Sequence, residues 1–182
     1  TLFGPTDHRE SKDIPCPVML QFFVRNSTLD LLVYFRSQGA FGVFPYDLFL
    51  FTMIQEYVAT LLGLALGVYI QPTGSMHFYE DEREGVQKLI HEVPTPLLMQ
   101  AMPRLESGQL DTLFYNEHAL RQFGLGILDH AKIGRHFHPY WQDVNDVFLE
   151  FAEARRSNQR HLRLSKVLSR PESALVYNAE PR

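Results

Sequence analysis

Four short stretches of this sequence hold side chains able to do chemistry. Cys16 is the only thiol in 182 residues, and it lies between Pro15 and Pro17 at the entry to an apolar run. A thiol at the mouth of a strand is open to attack a substrate, and a nearby cation lowers its pKa toward the nucleophilic thiolate. Arg36-Ser37 puts a guanidinium fork beside a hydroxyl, just before a glycine-bearing loop, which suits a phosphate. Asp47 follows Pro45-Tyr46 at the start of a helical pattern, where an acid favours the helix dipole or faces the polar edge of a ligand. His77 and Tyr79 are two apart, so on a strand they share a face and offer two polar tips to a sugar hydroxyl.

Each stretch has a plainer structural reading. A lone cysteine is often a small buried hydrophobe. A surface arginine often pairs with a carboxylate for little gain. His136-Phe137-His138 sets two imidazoles on one face if extended, but no third ligand follows at a diagnostic spacing, so no metal site is expected. Arg155-Arg156 and Arg160 to Arg163 read as the solvated face of a helix.

The elements that must position these groups can be read from pattern. Val18 to Arg25 and Leu29 to Arg36 are β-rich runs around the turn signal Asn26-Ser27-Thr28, which predicts a hairpin. Both runs are apolar at most positions, so burial on both faces is expected. Hairpin pairing then returns Arg36 to the start of the first strand, near Cys16. Ser37 to Phe44 reads as a loop. Pro45 opens a long helix through Leu64, predicted to be buried in the core. Gly67 to Tyr79 reads as one more strand, and Asp81 to Glu92 as a charged amphipathic helix with acids in its first turn. Beyond Val93-Pro94-Thr95-Pro96 the pattern is helical, near 107–123 and 142–156 and again at 160–169, with a loose tail after Pro171.

Composition bounds the rest. A chain that is 45% hydrophobic can build a core, so wholesale disorder is excluded. The formal net charge of −4 supplies no dominant basic patch, so nucleic acid is not an expected partner. One cysteine rules out an internal disulfide and leaves a reducing compartment, the cytoplasm, as the expectation. No secretory signal pattern opens the sequence. The apolar stretch from Leu48 to Gly67 carries Gln55-Glu56 near its middle and is not expected to span a membrane.

Taken in order, Pro15-Cys16 with Gln21-Phe22, Arg36-Ser37, Pro45-Tyr46-Asp47 and Gly74 to Tyr79 resemble the thymidylate synthase and deoxycytidylate hydroxymethylase superfamily. The resemblance covers roughly residues 13–82. It implies an α+β fold with a mixed sheet and a long buried helix. Residues 1–92 would then be the C-terminal part of the catalytic core, and 93–182 a mainly helical extension packing on it. It also implies that Cys16 adds to C6 of a pyrimidine nucleoside monophosphate, and that C5 then takes up the one-carbon unit of 5,10-methylenetetrahydrofolate. Arg36 and Ser37 take the phosphate positions, Gln21 lies in the strand leaving the nucleophile, and His77 and Tyr79 take the sugar-hydroxyl positions. A homodimer is implied too. The family carries a substantial segment before the nucleophile, so the chain is expected to be part of a longer polypeptide.

Asp47 is the informative departure, because the synthases carry Asn there. An amide matches O4 and N3–H of uracil, whereas a carboxylate accepts from the 4-amino group of cytosine. Mispairing a buried polar group costs about 1–3 kcal/mol, or tenfold or more in selectivity. The sequence therefore points to a hydroxymethylase acting on CMP or dCMP, in which water captures the exocyclic methylene group. The alternatives are a methyl-forming synthase on a uracil nucleotide and a nucleotide-binding homologue without activity. Pro17, Phe35, Gly39 and Ser75 also depart from the synthase pattern, and they bear on the methyl-forming step rather than on the nucleophile.

Overall fold

The computed structural model describes residues 14–92, 100–104, 106, 108–134 and 138–158. The chain divides into two compact units, Thr1–Pro94 and Thr95–Arg182.

In the first unit, strands β1 (Pro17–Arg25) and β2 (Thr28–Phe35) form the expected antiparallel hairpin. Asn26 and Ser27 turn it with positive φ of 49° and 62°, the twist a two-residue hairpin loop requires. Strand β4 (Ala65–Ile70) pairs parallel with β2 on its other edge, so the sheet order is β1-β2-β4. A second, two-stranded parallel sheet joins β3 (Gln38–Gly39) to β5 (Met76–His77). Helix α1 (Phe44–Leu62) lies between β3 and β4 in sequence, with Pro45 in its first turn as predicted. It stops at Gly63, whose φ of 66° no side chain adopts without strain; its N–H closes onto Ala59 and Thr60 carbonyls. A single 3-10 turn (Glu80–Glu82) leads into α2 (Arg83–His91).

The core is the centre of this sheet. Leu31, Val33 and Phe35 of β2 are fully buried together with Phe51 of α1, and the Phe35 and Phe51 rings meet edge to face at 5.5 Å. Cys16, Leu20, Ile54 and Tyr69 pack against that cluster.

Several expectations are corrected. Strand β1 is not buried on both faces: it is an edge strand, and Met19, Phe22 and Val24 are exposed. Only β2, flanked on both sides, has the buried alternation. Helix α1 is not wholly buried either. It buries the stripe Phe51, Gln55 and Ala59, one residue per turn, and leaves Phe49, Leu50, Leu61 and Leu62 exposed. The 37–44 loop contains β3, because Gln38 and Ala40 N–H groups find carbonyl partners at Ser75 and His77. The predicted strand from Gly67 to Tyr79 is two strands, β4 and β5, with Thr73 between them in an isolated bridge to Phe35.

One irregularity phases the sheet. Leu29 pairs with Leu66, but Leu31 pairs with Tyr69, so β4 carries one extra residue there. The extra residue frees main-chain groups at Val68, and side chains satisfy them. Val68 N–H donates to Asp30 Oδ1 at 2.8 Å. Gln55 Nε2 donates to the Leu29 and Val68 carbonyls at 2.8 and 3.3 Å. Gln55 is therefore a structural clamp from α1 onto the sheet.

In the second unit, α3 (Gln109–Gly124) packs on α4 (Pro139–Arg156). Buried Asn116 ties the helix pair to the connecting segment: its Oδ1 accepts from Gly134 N–H at 2.7 Å and its Nδ2 donates to the Gly134 carbonyl at 2.8 Å. Arg156 donates to the Phe123 carbonyl and lies over the Phe123 ring, so this basic residue has a packing role. The predicted helix at 160–169 lies outside the described residues. Among the described residues no helix is long and apolar enough to cross a membrane.

Candidate active site

The end of β2 organises the site. Arg36 N–H donates to the Cys16 carbonyl at 3.0 Å, which continues the hairpin by one residue and brings Arg36 to the nucleophile candidate. The Arg36 side chain reaches further back, Nη2 donating to the Ile14 carbonyl at 2.7 Å and Nε to the Pro15 carbonyl at 3.3 Å. Among the described residues nothing accepts from its Nη1, so part of the guanidinium fork remains for an anion. Cys16 is half-buried, with its side chain against the Leu31–Phe35–Phe51 cluster. Ser37 is half-buried next to Arg36.

On its other side the same segment meets the strand that carries His77. Phe35 N–H donates to the Pro72 carbonyl, Gly74 N–H to the Phe35 carbonyl, and Gln38 N–H to the Ser75 carbonyl, at 2.8–3.0 Å. Gly74 permits this: a Cβ there would stand 2.8 Å from the Arg36 carbonyl oxygen. The Arg36–Gln38 segment is thus hydrogen-bonded to the cysteine segment on one side and to Ser75–His77 on the other.

The expectation that His77 and Tyr79 share a strand face is corrected, because β5 ends at His77 and Tyr79 leads into the 3-10 turn. The two rings meet instead edge to face, 5.3 Å between centroids. Glu82 accepts from Tyr79 N–H at 2.9 Å and fixes that turn. Glu80, ion-paired through two bonds to Arg83, has its carboxyl held below the usual range by that guanidinium.

Asp47 lies half-buried in the first turn of α1, and Gln38 Nε2 donates to its Oδ2 at 2.8 Å. Gln38 is 1% exposed. Gln71 Nε2 lies 3.5 Å from Gln38 Oε1, and the Tyr69 hydroxyl donates to Gln71 Oε1 at 2.6 Å. Burial, and then the negative charge of Asp47, push the Tyr69 phenol up to about 12.

Gln21 is not brought to this cluster. It is exposed in the middle of β1 opposite Leu32, about 16 Å along the strand from Cys16. His136 lies outside the described residues. His138 caps α4, its Nδ1 accepting from Tyr140 N–H at 3.2 Å, which occupies that nitrogen. Among the described residues no three His, Cys, Asp or Glu side chains group as a metal site. Gln38, Tyr69 and Gln71 escape a reading of the sequence as site residues. The available signal is Tyr69 and Gln71 two apart in an otherwise apolar run, the same spacing as His77 and Tyr79.

The sequence profile of the thymidylate synthase family matches residues 1–124, which extends past the first unit to the end of α3. The chain is 41% identical over 88 residues to the deoxyuridylate hydroxymethyltransferase of Bacillus phage SP01, covering 45% of this chain and 23% of the phage protein. It is 33% identical over 95 residues to the bifunctional dihydrofolate reductase-thymidylate synthase of Paramecium tetraurelia, covering 52% of this chain and 20% of that protein. The chain therefore spans about a quarter or less of the length of these relatives.

Proposed function

The chain belongs to the thymidylate synthase family, and from that membership we propose that it carries the nucleophile lobe of a pyrimidine-nucleotide C5 hydroxymethyltransferase. The observation that carries the reading is the Arg36–Gln38 segment, bonded on one side to Cys16 and on the other to the strand of His77. It sets the segments of Cys16, Arg36 and His77 side by side around one short stretch.

In this reading Cys16 Sγ adds to C6 of a pyrimidine nucleoside monophosphate, which makes C5 nucleophilic. Arg36 Nη1 and the Ser37 hydroxyl bind the phosphate. His77 and Tyr79 hold the sugar. Asp47 reads the base edge, accepting from the 4-amino group of cytosine. 5,10-Methylenetetrahydrofolate supplies the one-carbon unit. Tyr46, 76% exposed beside Asp47, and Val43, exposed just before the same turn, would pack against its aminobenzoyl ring. Water completes the reaction, giving the 5-hydroxymethyl nucleotide and tetrahydrofolate. The functional unit is a homodimer.

A second reading has a uracil nucleotide as substrate. It is favoured by the name of the phage relative, a deoxyuridylate hydroxymethyltransferase. There, a carboxylate oxygen of Asp47 would accept from uracil N3–H.

The test uses the complete polypeptide. A 5-fluoropyrimidine nucleotide with methylenetetrahydrofolate traps a covalent adduct on Cys16, because fluorine at C5 cannot leave as a proton does. Tritium release from C5 then compares cytosine with uracil nucleotides. Absence of any adduct overturns the enzymatic reading, and preferential release from uracil selects the second substrate. Tetrahydrofolate as co-product marks hydroxymethylation, and dihydrofolate marks methylation.

A further inference from the structure

The polar groups behind Asp47 form a chain with one direction. The Tyr69 hydroxyl of β4 donates to Gln71 Oε1 at 2.6 Å. Gln71 Nε2 donates to Gln38 Oε1 at 3.5 Å, the longest link. Gln38 Nε2 of β3 donates to Asp47 Oδ2 of α1 at 2.8 Å. Every bond points toward the carboxylate.

This direction is self-consistent. A carboxamide whose oxygen accepts from a hydroxyl turns its NH2 to the next acceptor, and the next carboxamide does the same. Gln38 is 1% exposed, so both ends of its amide are satisfied within the protein rather than by bulk water. Running the chain backwards would require Asp47 to carry a proton and donate it. The raised phenol of Tyr69 keeps the far end of the chain a donor.

We propose that Tyr69, Gln71 and Gln38 are a positioning relay for Asp47, holding it as a hydrogen-bond acceptor with Oδ2 occupied and Oδ1 left for the base. The inference rests on Asp47 as the base-reading group. None of the three residues touches the nucleotide, and each acts through the next. Base preference at this site then depends on a tyrosine whose influence passes through two intervening side chains.

The test is a double-mutant cycle on the complete polypeptide, since coupled groups fail to add and independent ones add. The first arm needs no ligand. Side-chain amide resonances of Gln38 and Gln71 are assigned by their loss in Gln38→Leu and Gln71→Leu. Tyr69→Phe keeps the ring packed and removes only the hydroxyl. It moves the Gln38 amide resonance in the parent protein and does not move it once residue 71 is changed to Leu. A Gln38 resonance that ignores Tyr69→Phe, or responds equally in both backgrounds, overturns the relay. Should Gln71→Leu fail to fold, Gln71→Met serves the same cycle.

The second arm measures the ratio of dCMP to dUMP affinity by titration calorimetry. Tyr69→Phe and Gln71→Leu each change it by about threefold to tenfold, and the double variant changes it no further. Fully additive changes overturn the relay. A protein that binds neither nucleotide overturns the reading of Asp47, while the amide resonances still decide the relay.

Discussion

Arg36 holds the Cys16 segment twice: its N–H donates to the Cys16 carbonyl at 3.0 Å, and its guanidinium binds the Ile14 and Pro15 carbonyls just before it. One residue therefore shapes the backbone around the thiol and, in the proposed reading, presents a cation to the phosphate. Arg36→Lys keeps the charge but loses the planar fork. Nucleotide affinity should fall about tenfold or more, and the residue-36 N–H that donates to the Cys16 carbonyl should exchange faster once the guanidinium no longer holds that segment. Calorimetry and hydrogen-exchange mass spectrometry read the two effects separately.

Cys16→Ala removes the proposed nucleophile and little else. Its side chain packs against the edge of the core cluster, so the stability cost should be about 1 kcal/mol. C5 tritium release should fall by about a thousandfold or more. A thermal melt beside the release assay distinguishes lost chemistry from lost fold.

Asp47→Asn puts an amide at the proposed base-reading position. The ratio of cytosine to uracil turnover should move toward uracil by about tenfold. Competition between labelled dCMP and dUMP measures that ratio directly.

Gly74→Ala would drive a Cβ to 2.8 Å from the Arg36 carbonyl oxygen. That oxygen belongs to backbone held on both sides, so it cannot yield cheaply. A destabilisation of about 1–3 kcal/mol in urea unfolding is expected, together with weaker nucleotide binding, because the contact between Arg36 and the His77 strand passes through this point.

Tyr69 should ionise late. Its phenol has a usual value of 10.0 and is pushed up to about 12 in the fold. A raised value means that the fold favours the neutral form. The contribution to stability is present in full below pH 10 and is lost as pH climbs toward about 12. Spectrophotometric titration should show a late tyrosinate step that Tyr69→Phe removes.

Much of the scaffold is legible in the sequence because local chemistry decides it. Asn26-Ser27 turns the hairpin and Pro45 starts α1, each through backbone preferences that tertiary packing does not override, whereas α1 ends at Gly63 and not at the expected Leu64. Burial is less legible. The apolar content of β1 suggests two covered faces, but its edge position leaves Phe22 and Val24 exposed. Sequence pattern reports hydrophobicity, and neighbours decide whether it is covered. The candidate nucleophile, phosphate fork and acid are visible from residue type and order. The glutamines behind the acid are not, since Gln38 and Gln71 lie 33 residues apart and meet only through the folded strands. The exposed position of Gln21 is equally hidden, because its distance from Cys16 follows from strand extension.

The single extra residue in β4 sets which way every later side chain of that strand faces. Side chains alternate along a strand, so if pairing ran on regularly from Leu29 and Leu66 with every residue kept, Val68 would stand opposite Leu31 and Tyr69 opposite Leu32. Valine would then stand where the phenol does, and Asp47 would lose its proposed support with no residue around the thiol altered. Parity, counted from Val68 and pinned there by Asp30 and Gln55, is what the proposed choice of nucleobase at Asp47 would hang on.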